Sequence, residues 1–362
     1  MVETKGGGYA ESLPVNAIRN LTIVVLLAAA ACGCTEADRQ RWDSMWGRPS
    51  DLVDPTSEYV PLETMAADLK LRVLSASAYS AMLRDASGNL VTLVVDPGGA
   101  VLVNGRPLTY RGQISPHEKG DSLLLPRGLD EDLARALRTT SRPRRALVAP
   151  EAPSRLSPPI KLQYSGPRLG PVLIDAGHGG KDPGAVGGYG VAGQHRQVRE
   201  KDVVLAVALD LASVLRAQNV EVILTRSDDT FIPLADRVAI ANRSGARLML
   251  SLHADAAANS SASGFTVYLG RSPSSASITA ASAIAGEMAS LNLASRGIRR
   301  HPKTIRVINE PRIPSVLVEM GFVSNSTDAS DLDRADHRRR LASAMAIGII
   351  EYLSPPLWTA RR

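Results

Sequence analysis

The sequence predicts an α/β protein, with a mixed, mostly parallel twisted sheet covered by helices and preceded by a small β-rich domain. Three observations predict it. From Pro171 onward, short apolar runs alternate with stretches of helical periodicity, the pattern of a largely parallel sheet with helical crossovers. Between Tyr79 and Leu125, short strand-like runs are separated by turn residues. A stretch dense in Pro, Arg and Ser, residues 141–169, divides the two regions. A length of 362 residues suits about two to three domains. Hydrophobic content of 44% is ordinary, but aromatics make up only 4%, so the cores must rest on Leu, Val, Ile and Ala.

In chain order, residues 1–34 read as a signal or lipoprotein anchor segment. Arg19 precedes the apolar run Leu21–Ala31, which ends in small residues at Cys32. The run falls short of the ~20 apolar residues a membrane-spanning helix needs. The AAAC ending resembles a lipobox, with Ala29 where Leu is preferred. Three readings stay open: a lipid anchor at Cys32, an ordinary cleaved signal, or an uncleaved anchor. All three place the mature chain in the cell envelope, on the periplasmic side. Cys32 and Cys34 are the only cysteines, so with Cys32 lipidated no disulfide framework supports the fold.

Residues 35–57 are charged and Pro-containing and read as a tether, with Trp42 and Trp46 one helical turn apart. Residues 58–140 form the small β-rich module. Tyr59–Leu74 has apolar residues near helical spacing. Strands are expected at Tyr79–Arg84, Leu90–Val95, Ala100–Val103 and Ser122–Leu125. Asn104-Gly105 after VLV is a hairpin signal, and Asp130–Thr139 reads as a short helix. The stretch VLVNGRPLTYRGQ…GDSLLLP resembles the small module at the amino end of copper amine oxidases. That likeness implies a wall-binding or partner-binding module, and a plain structural spacer remains the other reading.

Residues 170–355 read as the catalytic domain. Helices are expected at Val203–Gln218, Leu234–Ser244, Ser277–Asn292 and Asp331–Leu353. Strands are expected at Val172–Ile174, Val220–Thr225, Leu248–Leu252, Gly264–Leu269 and Val316–Val318. His178 follows the first of these strands within a glycine-rich loop, His253 follows LMLSL, and Glu319 follows SVLV. Glu200 opens the Val203 helix. Parallel strands bring their carboxyl ends to one edge, so residues distant in sequence meet there. Two neutral imidazoles and a carboxylate suit Zn²⁺ and leave a fourth position open, as in a catalytic site. Glu200 also reads as a solvated carboxylate favoured by the helix dipole. Asp175 reads either as support for the His178 loop or as a turn cap, and Arg226 and Arg237 as partners of nearby carboxylates or of substrate. His117, His195, His301 and His337 read as surface residues, His195 alone lying near enough in sequence to act as a substitute ligand.

The segments IDAGHGGKDPGA, REKDVVLAVALDLASVLR, VILTRSDDTFIPLADRVAIANRSGA, LMLSLHADA and PSVLVEMGFVSN resemble, in order, those of the zinc-dependent N-acetylmuramoyl-L-alanine amidases of the Amidase_3 type. Ala176 stands where that family usually has Pro. The resemblance implies that His178, Glu200 and His253 bind zinc and that Glu319 is the catalytic carboxylate. It also implies cleavage of the amide between N-acetylmuramic acid and L-alanine in peptidoglycan. An envelope zinc peptidase and a non-catalytic wall-binding lipoprotein are the competing readings. The formal charge of +6 comes from scattered arginines, so no nucleic-acid partner is expected, and a monomer is. The Gly-rich segment Gly187–Val198 is a candidate gate, and an activating partner is left unidentified.

Overall fold

Two sheets share one buried helix. The computed structural model describes residues 58–77, 79–95, 99–116, 122–139, 168–291 and 293–354, which from Glu58 on belong to one unit. The anchor segment with Cys32 and Cys34, the tether with its tryptophans, His117 and the linker before Arg168 lie outside the described residues.

The chain enters through β1 (Tyr59–Pro61), α1 (Leu62–Asp68) and β2 (Arg72–Ala76). The helical spacing over Tyr59–Leu74 therefore holds only for Leu62–Asp68. Lys70 adopts φ 54°, ending the helix, and Leu71 turns into the core at the start of a strand. The strands β3 (Ser80–Arg84), β4 (Leu90–Val94) and β5 (Ala100–Val103) follow as expected, then β6 (Arg106–Pro107), β7 (Ser115–Pro116) and β8 (Leu123–Pro126). Asn104 and Gly105 both take positive φ, 51° and 75°, the type I′ geometry that closes the β5–β6 hairpin. β2 to β6 form one antiparallel sheet in sequence order, and β1, β8 and β7 form a second, smaller one. The five-stranded sheet is buried on both faces. Ala81, Leu83, Val91, Leu93, Val101 and Val103 pack toward α1 and the helix α2 (Leu129–Thr139). The alternate residues Met82, Leu90, Val94 and Leu102 join the core of the larger sheet.

That larger sheet carries the site. Its elements are β9 (Leu169–Ala176), β10 (Val186–Val191), β11 (Gln194–Arg199), α3 (Glu200–Ala217), β12 (Val220–Leu224), α4 (Leu234–Arg243), β13 (Leu248–Asp255), β14 (Phe265–Leu269), α5 (Ser275–Ala289), β15 (Ser295–Arg300), α6 (Arg306–Asn309), β16 (Ser315–Phe322), α7 (Ser326–Asp333) and α8 (Ala335–Leu353). The strand order is β12-β9-β13-β16-β14-β15. The first four strands are parallel, β14 runs antiparallel to β16, and β15 is parallel to β14. The mixed, mostly parallel sheet expected from the sequence is the one observed.

Residues of α3, α5 and α8 cover one face over Val172, Ile174, Leu250, Leu252, Val316 and Val318. Residues of α4 and α6 cover part of the other, over Leu173, Met249 and Leu317. Almost every residue of α5 from Ala280 on is buried, because the helix lies between both sheets. Its small residues permit this. A Cβ on Gly286 would meet Leu90 of the module at 2.2 Å, and one on Gly348 of α8 would meet Ile284 at 2.7 Å.

Several further elements differ from the sequence reading. β15, SRGIRR, has no apolar alternation, yet it forms the edge strand, covered where the Ile298 N–H donates to Ser80 Oγ of the module at 2.8 Å. The helix expected over Asp331–Leu353 is two helices, broken where Arg334 is extended at φ −81°, ψ 127°. β13 and β16 continue past Leu252 and Val318, so His253 and Glu319 lie within strands. Gly187–Val198, expected as a gate, is most of the β10–β11 hairpin, turned at Ala192-Gly193 with φ 49° and 81°. It is pinned in place: Gly188 N–H donates to Val323 O at 3.1 Å, and Tyr189 hydroxyl to Asp333 Oδ2 at 2.8 Å. Among the described residues, no helix is long and apolar enough to cross a membrane.

A Cβ at Gly187 would lie 1.8 Å from the Val323 carbonyl, a backbone atom that cannot rotate away. Gly187→Ala should therefore destabilise the protein by ~1–3 kcal/mol, read as a lower denaturation midpoint. An unchanged midpoint would show that the hairpin is not pinned there.

Candidate functional site

Alternation along β9, β13, β16 and β14 places Asp175, Ser251, His253, Glu319 and Thr266 on the face that α4 and α6 cover. His253 and Glu319 stand side by side in register. His178 reaches them from the loop after β9, where it takes φ 59°, a left-handed conformation unusual for a residue with a Cβ.

Two buried arginines hold that loop. Arg226 Nε donates to the carbonyl of Ala176 at 2.9 Å, and its Nη2 to Gly177 O at 2.7 Å and Lys201 O at 3.1 Å. Arg237 Nη1 donates to Ala176 O at 2.6 Å and its Nη2 to His178 O at 2.7 Å. Arg237 Nη1 also pairs with Asp175 Oδ1 at 2.6 Å, both side chains being almost wholly buried. Asp175 accepts further bonds from Thr225 and Ser251 hydroxyls, each at 2.8 Å. Asp175 is thus a support for the loop rather than a turn cap. Arg237 has the carboxylate partner expected of it, whereas Arg226 binds carbonyl oxygens, those of Ala176, Gly177, Lys201 and Asp228.

His178, Glu200 and His253 come together, each offering a ligand atom within 4.8 Å of the others. Glu200 Oε1 lies 3.0 Å from His178 Nε2 and 2.9 Å from His253 Nδ1, and it accepts from the Ala254 N–H at 3.0 Å. Its Oε2 accepts from Ala185 N–H at 2.7 Å. At 4% exposure, Glu200 is not a solvated helix-end carboxylate. Burial alone would raise its pKa, but the two imidazoles outweigh that and hold it far below the usual carboxylate range. Burial pulls the His178 pKa down, while bonds to Glu200 and Asp182 override this and leave it raised. Asp182, not singled out in the sequence, accepts from or pairs with His178 Nδ1 at 2.8 Å, fixing which nitrogen faces Glu200. Its signal was its place four residues after His178.

Close approach of these groups depends on glycine. A Cβ on Gly177 would sit 2.4 Å from the His253 ring, and one on Gly184 2.5 Å from Glu200 Oε2. The donor set of two imidazoles and one carboxylate, with one imidazole oriented by a second carboxylate, fits a divalent metal of the zinc class.

Glu319 is the opposite case. It is 9% exposed, and its Oε2 has no hydrogen-bond partner. Burial, then Glu200 and Asp255, push its pKa well above the usual carboxylate range. A carboxylate with one oxygen left without a donor, beside a His/Glu/His group that could hold a metal ion, is equipped to take a proton.

The other histidines divide. His195 is exposed, His301 packs edge-on to Tyr268 with ring centroids 4.7 Å apart, and His337 is buried at 6% exposure. His337 departs from the surface reading because it lies in the first turn of α8, just past the break at Arg334.

Two outcomes follow. Arg237→Met strands the Asp175 charge and should cost ~3–5 kcal/mol, measured by denaturant unfolding. The buried Glu319 carboxyl keeps its proton in the fold at pH values where the unfolded chain, titrating near 4.5, has lost it. Stability attributable to this group therefore falls as pH rises above that value. Metal-free Glu319→Gln should melt above metal-free wild type near pH 7, and the gap should close near pH 4, by calorimetry.

A family model described as N-acetylmuramoyl-L-alanine amidase matches residues 172–351. The N-acetylmuramoyl-L-alanine amidase AmiA of Escherichia coli (strain K12) is 34% identical over 239 residues, covering 54% of this chain and 80% of that protein. AmiA of Salmonella typhimurium is 34% identical over 224 residues, covering 50% and 75%. The solved catalytic domain of CwlV, an N-acetylmuramoyl-L-alanine amidase from Bacillus (Paenibacillus) polymyxa var. colistinus, is 40% identical. It covers 50% of this chain and 97% of that one, with a TM-score of 0.45. The chain belongs to the N-acetylmuramoyl-L-alanine amidases, a family of peptidoglycan hydrolases.

Proposed function

We propose that this chain hydrolyses the amide between the lactyl group of N-acetylmuramic acid and L-alanine of the stem peptide. In this reading His178, Glu200 and His253 hold a zinc ion and Glu319 is the general base. The observation that carries it is the juxtaposition, in register on neighbouring strands, of a His from the His/Glu/His cluster and a buried carboxylate without hydrogen-bond partners on Oε2.

When bound, a zinc ion of this kind lowers the pKa of water toward ~7 and polarises a carbonyl. The protein supplies the rest. Glu319 receives the proton of the attacking water at its free Oε2 and returns it to the leaving amine nitrogen. Its raised proton affinity favours the first transfer, and its lack of competing donors leaves the oxygen open for it. Asp182 keeps His178 in one tautomer and orientation. The arginine-held loop keeps the imidazole at its distance from Glu200, since a displaced ligand would cost affinity for the ion.

The domain division read from the sequence, the lipid anchor at Cys32 and a monomeric, periplasmic-side enzyme belong to the same proposal. The anchor and the periplasmic side rest on the Leu21–Ala31 run and its AAAC ending, and the domain division rests on the Pro-, Arg- and Ser-rich stretch 141–169. Relatives described as cell wall amidases support an envelope location.

Glu319→Gln should lower release of stem peptide from purified sacculi by at least ~10²-fold while retaining metal. His253→Ala should lose metal content as well. Chelation should abolish release, and added Zn²⁺ restore it. A Glu319→Gln variant that frees peptide at the wild-type rate would overturn the assignment.

A further inference from the structure

Between the cluster and the small module stands a cation, Arg299, that has no carboxylate partner among the described residues. Arg299 of β15 is in register with Tyr268 of β14. Thr266 pairs with Glu319 and Tyr268 with Leu317, so Tyr268 shares the sheet face of Glu319. Strand spacing and rise put the Arg299 backbone about 12 Å from that of Glu319.

The Arg299 guanidinium is built into place without being neutralised. Its Nη2 donates to the Arg296 carbonyl, while its Nε is buried with no acceptor. Burial pulls its pKa below the ordinary arginine value. The ionisable groups acting on it are Tyr268, Arg296 and Tyr79, with no carboxylate among them. The module supplies the floor: the Arg299 guanidinium carbon lies 5.4 Å from the ring centroid of Tyr79, a residue 48% exposed. The neighbouring Ser80 hydroxyl fixes β15 by accepting from Ile298 N–H. Arg296 adds a second positive charge, 5.2 Å from the Phe322 ring centroid at the end of β16. A guanidinium stacked on an aromatic ring and short of acceptors presents a planar fork suited to a carboxylate.

Resting on the amidase reading above, we infer that Arg299 is a binding residue for a carboxylate of the acidic stem peptide, and that Tyr79 makes the amino-terminal module one wall of the substrate cleft. An extended peptide advances ~3.3–3.6 Å per residue. A carboxylate on the second or third residue past the scissile amide thus comes within reach of the arginine side chain.

The test uses the full chain, loaded with metal, and two soluble muramoyl tripeptides. In one, the carboxylates of the second and third residues are free; in the other, both are amidated. Wild type should prefer the free acid by roughly tenfold in kcat/KM, the energy of one charge-assisted hydrogen bond, with the difference in KM. Arg299→Gln should bring the ratio near one, Arg299→Lys should restore part of it, and Tyr79→Ala should lower it. Thermal melts establish that each variant is folded, and Tyr79→Ala, at an exposed position, carries the test should Arg299→Gln melt early. Equal use of both substrates by wild type, or a wild-type ratio in folded Arg299→Gln, would overturn the inference while leaving the amidase reading intact. Failure of wild type to release peptide from either substrate or from sacculi would overturn the amidase reading itself.

Discussion

The buried ion pair between Arg237 and Asp175 is the constraint on which the site depends. Two charges out of water are tolerable only when the remaining donors and acceptors are used. Here Asp175 accepts from Thr225 and Ser251 as well, and Arg237 spends its other N–H groups on the carbonyls of Ile232, Ala176 and His178. With Arg226 alongside, consecutive carbonyls from Ala176 to His178 are all held by guanidinium groups. A loop with a left-handed histidine has little intrinsic stability. The arginines supply the energy that keeps it in one conformation, and the conformation places the imidazole.

Two glutamates then acquire opposite characters from their surroundings. Glu200 is surrounded by donors and is held ionised. Glu319, on an adjacent part of the same sheet edge, has an oxygen with none and favours its proton. Pairs of carboxyl groups pushed apart in this way divide the work of charge binding and proton transfer. The division comes from geometry alone, since the side chains are chemically identical.

The small module is bound into this architecture through α5. The helix is buried on nearly all sides, and glycine and alanine let Leu90 of the module approach its backbone. Arg84 adds a largely buried ion pair to Glu287 at 3.4 Å. The module also covers the sheet edge at β15. An element that reads in the sequence as a spacer or binding unit therefore completes the hydrophobic core of the sheet that presents the site.

Much of this was legible beforehand where periodicity and turn chemistry are local. The Val203 helix, the strands ending near His178, His253 and Glu319, and the Asn104-Gly105 hairpin follow from side-chain spacing and from backbone conformations that glycine and asparagine favour. The residues of the candidate site were legible for related reasons: His178, His253 and Glu319 are polar groups at or just past the ends of apolar strands, and Glu200 opens an apolar-faced helix. Other features needed the tertiary structure. β15 is a strand because its neighbours pair with it, not because its residues prefer to be. His337 is buried by packing that its helix does not reveal, and Arg334 breaks a helix that residue spacing alone would continue. Above all, the opposed environments of Glu200 and Glu319, and the unneutralised Arg299 on Tyr79, arise between segments far apart in the chain. Sequence fixes which groups are available locally, but the dielectric and the partners that decide a charge are assembled only when distant strands meet.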